Sequence, residues 1–69
     1  MRLSARNLIK GKILEVTKGA TTSHVRVDIG NGVVMTASIT NEAVEELGLR
    51  AGASAVVVVK ASDVMIAVE

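Results

Sequence analysis

Three short stretches hold the side chains best suited to chemistry: Ser4-Ala5-Arg6-Asn7, Ile39-Thr40-Asn41 and Lys60-Ala61-Ser62. Each sets polar donors beside small residues, and two of them add a cation. Arg offers a planar fork of donors and Lys a compact ammonium, while Ser and Thr hydroxyls and uncovered backbone amides donate as well. Such a set fits a small multi-oxygen dianion, which can only accept hydrogen bonds, and amides near a helix N-terminus add to the same preference. The same residue types are also the ordinary content of solvated turns, so their identity alone leaves both readings open.

Other chemistries find less support. His24 is the single histidine and has no partner at a catalytic spacing, no Ser lies in a nucleophile elbow, and the acids Glu42, Glu45 and Glu46 sit together in a helical segment. Without cysteine, disulfides, thiol chemistry and zinc fingers drop out, and no metal cation or organic cofactor is expected. Aromatic residues are absent, so single-stranded bases would have no stacking platform. The formal charge of +1 gives little steering toward nucleic acid or anionic membrane, although Arg2, Arg6, Lys10, Lys12 and Lys18 make the N-terminal end locally basic. The longest apolar run, Ala55 to Val59, falls far short of the roughly 20 residues of a membrane span, and no signal-peptide h-region is visible. These features predict a soluble cytoplasmic protein that is not an enzyme.

The elements that must position the donors are short. Residues 1–69 make a single domain, and a core of that size seldom supplies more than about 3 to 5 kcal/mol without a disulfide, a metal or a partner chain. Leu8 to Val16 alternates loosely. In Thr21 to Ile29, Val25, Val27 and Ile29 share one face while His24, Arg26 and Asp28 share the other, the period of a half-buried strand. Gly30-Asn31-Gly32 is a hairpin signal, and Val33 to Thr40 alternates again with Val33, Met35, Ala37 and Ile39 on one side. Asn41 to Leu47 reads as one short helix closed by Gly48. Ser54 to Lys60 and Val64 to Val68 complete five strands, and the last two have no polar face. The pattern predicts a mainly β fold, a small, partly open OB-like barrel with one short helix. A strand apolar on both sides must be covered on both sides, which points to another subunit.

The order and spacing of these segments resemble the molbindin family of small molybdate-binding Mop-domain proteins. The resemblance rests on Ser4-Ala5-Arg6-Asn7, Gly11, Lys18-Gly19-Ala20, Ala37-Ser38-Ile39-Thr40, Leu47-Gly48-Leu49 with Gly52, Val59-Lys60-Ala61-Ser62 and Val64-Met65-Ile66, and it covers essentially the whole chain. It implies an OB-like barrel that exchanges a strand within a dimer, with three dimers forming a hexamer that binds molybdate or tungstate at subunit interfaces. The main site would then take Ser4, Ala5 and Arg6 from one chain and Thr40, Lys60, Ala61 and Ser62 from its neighbour. Relatives often carry Ser three positions after this threonine, whereas this chain has Ala43, which leaves only a backbone amide for that contact. A second site near the threefold axis would fall on Thr22, Ser23 and His24, where many relatives have Asn and an acidic residue.

Storage or buffering of the oxyanion is the expected function, since the 69 residues hold no helix-turn-helix and no ATPase motif. The alternatives are an oxyanion-sensing regulatory module acting on a partner protein and a molybdopterin carrier. The latter would want aromatic or deep apolar walls around its planar heterocycle.

Overall fold

Strand β1 (Asn7–Lys18) is the longest element, and the others are built around it. In the computed structural model, which describes all of residues 1–69, its first half pairs with β4 (Ser54–Val59) and its second half with β2 (Thr22–Gly30), both antiparallel. β2 pairs with β3 (Val33–Thr40), so the sheet order is β3-β2-β1-β4. Helix α1 (Asn41–Leu47) follows β3, and a single 3-10 turn, Ala61–Asp63, follows β4.

The loose alternation of β1 has a local cause. Ile13 faces Val27 and Glu15 faces Arg26, so Leu14 is an extra residue in a β-bulge. The bulge moves the inward phase from odd to even positions. Asn7, Ile9, Gly11 and Ile13 turn toward the interior before it, and Val16 does so after it. Gly11 is required by close approach, because a Cβ there would lie 2.6 Å from the Asp28 carbonyl oxygen and 2.6 Å from Val27 Cγ1.

β2 follows its sequence pattern, with Val25 and Val27 buried, Ile29 half-buried, and His24, Arg26 and Asp28 exposed. The hairpin into β3 turns on Asn31 and Gly32 at φ 55° and 75°, and the Asp28 carboxylate accepts a 2.8 Å hydrogen bond from the Gly30 amide. Helix α1 is capped at both ends. Thr40 Oγ1 accepts from the Ala43 amide at 3.1 Å, while Gly48, at φ 62°, donates to the Glu45 carbonyl and Leu49 to the Val44 carbonyl, both at 3.1 Å. That closing pair is a Schellman motif, and it turns Val44 and Leu49 together against the core.

The core itself is thin: Ile13, Val25, Val27 and Ser23 are the four buried residues. Between β4, β3 and α1 lies an open groove of about 420 Å³, lined by Ile13, Val27, Ile39, Leu49 and Val57 among others. The expected five-stranded barrel is therefore corrected to four strands, open along that groove. Val64 to Val68 forms no strand within the chain, and Met65 and Ile66 are 91% and 85% exposed. A segment without a polar face has no stable place on a sheet whose apolar surface already exceeds what one chain covers.

Candidate oxyanion site

Arg6 and Lys60 enter one end of the sheet together. Asn7 pairs with Val59 in the last rung between β1 and β4, and Asn7 Nδ2 donates to the Val59 carbonyl at 3.0 Å. Ser4-Ala5-Arg6 leads into that rung, and Lys60-Ala61-Ser62 leaves it. Ser4, Arg6, Lys60, Ala61 and Ser62 are exposed, and Ala5 is half-buried. The chain has two ion pairs, Lys18 with Glu45 at 3.6 Å and Arg26 with Glu15 at 3.2 Å, so neither Arg6 nor Lys60 has an ion-pair partner. Asp63, three residues beyond Lys60, is also outside ion-pair distance.

Thr40 and Ala43 sit elsewhere. β1 carries Asn7 opposite Val59 at one end and Lys18 opposite Ser23 at the other, and Thr22 pairs with Thr40 at that second end. Within one chain, then, Thr40 is remote from both Arg6 and Lys60, at the opposite end of the sheet and on its other edge strand, so the expected division that drew Thr40 and Lys60 from one chain is replaced by one that groups Lys60 with Arg6. Because Thr40 Oγ1 is an acceptor for the Ala43 amide, its hydroxyl proton stays free to donate outward. The Ala43 N–H is used in that same bond, so the backbone contact expected from Ala43 is already committed to capping α1.

The remaining expected residues divide. Thr22 and His24 are exposed, His24 between Thr17 and Ser38 on neighbouring strands. Ser23 is 1% exposed, and its hydroxyl donates to Asn41 Oδ1 at 2.6 Å, so its proton is unavailable to an anion. An inward position on an alternating strand puts Ser23 in the core beside Val25. Asn41 was read in the sequence as part of the Ile39-Thr40-Asn41 donor stretch and as the first residue of α1, without a role of its own. A polar amide directly after a strand and one residue past a capping threonine was the available signal.

A TOBE domain model matches residues 3–66, nearly the whole of this antiparallel sheet and both donor-bearing ends. The chain is a TOBE-domain protein of the molbindin family. It is 46% identical over 66 residues to molybdenum-pterin-binding protein 2 of Clostridium pasteurianum, covering 96% of this chain and 97% of that one. Its fold superposes on MopII from Clostridium pasteurianum, in an apo form, with a TM-score of 0.90 at 43% identity, covering 97% of this chain and 100% of that chain. It matches the cytoplasmic molybdate-binding protein ModG, solved with molybdate bound, with a TM-score of 0.90 at 45% identity over 94% of this chain and 46% of that chain. Molybdenum-pterin-binding protein 2 and ModG are binding proteins by name, and the TOBE match spans the SARN segment, Thr40 and Lys60 alike.

Proposed function

We propose that this molbindin binds molybdate or tungstate for storage or homeostasis in the cytoplasm, in a site built from two chains. The observation that carries the reading is the separation of the donors. Arg6 and Lys60 stand unpaired at one end of the sheet, and the free Thr40 hydroxyl proton stands at the other, so a neighbour's Thr40 must meet this chain's cations to complete a donor shell. Ser4 and Ser62 add hydroxyls beside the cations, and Ala5 and Ala61 leave room for their backbone amides. No step of chemistry on the anion is required, which suits relatives named for binding.

The same arithmetic of surfaces supports strand exchange and a hexamer. Val64 to Val68 is an apolar, strand-like sequence left unpaired, and the groove beside β4 is an apolar surface left open. Exchange of that segment between copies would satisfy both. No helix is long and apolar enough to cross a membrane.

A donor-only shell also sets selectivity. Phosphate near pH 7 always carries at least one proton, and that proton would face donors at a cost of about 1 to 3 kcal/mol. Sulfate is an unprotonated dianion, so cavity size must separate it from molybdate, and tungstate should pass. Competition dialysis of molybdate-loaded protein checks this: tungstate should displace bound molybdenum, and phosphate should not. Equal displacement by the two would overturn the donor-only site.

Several relatives' names also carry pterin. The groove has room for a heterocycle, and Ser54 is the one polar residue among its 12 lining residues. A pterin buried there would lose most of its ring hydrogen bonds, which favours the inorganic oxyanion.

A further inference from the structure

We propose that Asn41 is a positioning residue for the Thr40 hydroxyl, holding it against the Gly19–Ser23 turn, and that Ser23 acts on anion binding only through Asn41. The inference rests on the reading of Thr40 as an anion donor.

Asn41 is the most connected polar side chain of the molecule. Its Oδ1 accepts from Ser23 Oγ at 2.6 Å, and its Nδ2 donates to the carbonyls of Gly19 at 3.1 Å and Ala20 at 3.4 Å. Its own backbone N–H donates to the Thr21 carbonyl at 2.9 Å. All of these partners lie in the turn between β1 and β2 or at the first residues of β2. The turn is closed on itself by the Gly19 amide donating to the Thr22 carbonyl at 2.8 Å. Asn41 thus fastens the junction of β3 and α1 to a rigid neighbour, at the last rung of the sheet, where a ladder would otherwise fray.

Thr40 is that junction. Its side-chain oxygen is fixed from the helix side by the Ala43 amide, and its backbone is fixed from the turn side by Asn41. With both ends held, the position of Thr40 Oγ1 is set before any anion arrives, and its O–H has only to turn away from the Ala43 amide to donate. A donor displaced by about 1 Å from its productive position loses much of its value, which is why second contacts of this sort matter to a binding shell. Ser23 supplies the buried anchor. Its hydroxyl cannot reach an anion from a 1% exposed position, yet it fixes the rotamer of the amide that holds Thr40.

Titration calorimetry with molybdate, on assembled protein whose fold is checked by circular-dichroism melts, tests this in a double-mutant cycle. Asn41→Ala and Ser23→Ala should each lower affinity by about tenfold, the loss of one hydrogen bond's worth of order. The double variant should bind no worse than Asn41→Ala, because the two act through one contact. Should Asn41→Ala fail to fold, Asn41→Ser, too short to bridge the turn, must show the same loss. Wild-type affinity in either Asn41 variant overturns the proposal, as does a further loss from Ser23→Ala in the Asn41→Ala background, which would make Ser23 a direct ligand. Thr40→Val separates the two levels: if it binds molybdate as wild type does, Thr40 is no anion donor and the underlying reading fails first.

Discussion

The half of the sheet built on β2 and the half built on β4 use the same aliphatic side chains and reach different ends. On β2 every second residue is polar, so Val25 and Val27 go into the core and His24, Arg26 and Asp28 meet water. Both ion pairs and the whole Asn41 network lie on that side. On β4, Ala55, Val57 and Val59 turn inward and are half-buried, yet Val56 and Val58 on the opposite face remain 37% and 46% exposed. Leu8, opposite Val58, adds to that surface. β4 is also an edge strand with neither charge nor proline, the kind that pairs with another chain unless covered. One half is finished by its own chain, and the other leaves a place for a second.

The largest effect should come from breaking that difference. Val58→Lys and Ile66→Asp alter residues that are exposed in one chain, and both should dissociate the proposed assembly as seen by analytical ultracentrifugation. Thr36→Lys, at an exposed position of β3 paired with Arg26, should leave the proposed assembly intact. If all three behave alike, the β4 half is not an interface.

Within the finished half, Ile13→Ala should cost about 2 to 5 kcal/mol in denaturant melts, since it empties one of the few buried positions. A smaller loss, about 1 to 3 kcal/mol, should follow Gly11→Ala, because the new methyl meets the backbone oxygen of Asp28 as well as a side chain. Arg26→Ala should change stability by less than about 0.5 kcal/mol, as the Glu15 pair is half in water and screened. A loss above that would mean the outer face of β2 is also covered.

Much of the fold was legible because β2, β3 and α1 carry local signals strong enough to stand alone: strict alternation, Asn31-Gly32 in the turn, and Gly48 closing the helix. β1 was blurred by the Leu14 bulge, which breaks a period of two without any residue that announces it. Val64 to Val68 has a strand's composition and no strand, because pairing depends on a partner edge that composition does not encode. For the site, Ser4, Arg6, Thr40, Lys60 and Ser62 were named by donor chemistry and family resemblance. That Arg6 and Lys60 share one end of the sheet and Thr40 lies at the other is a matter of register, invisible until Asn7 is seen opposite Val59 and Thr22 opposite Thr40. Ser23 was named as part of the second site that the family resemblance implies, and in the folded chain its hydroxyl is buried and donates to Asn41.

The claim that the anion is held between two chains is tested most directly by complementation. Arg6→Ala protein and Thr40→Val protein are each titrated with molybdate by native mass spectrometry, then unfolded together, refolded as mixed oligomers and titrated again. Each variant alone should lack the main site. Random mixing should restore about a quarter of the sites, those where an intact Arg6 from one chain faces an intact Thr40 from another. No recovery in the mixture, with stable mixed oligomers present, would place both residues' contributions within a single chain and contradict the shared site.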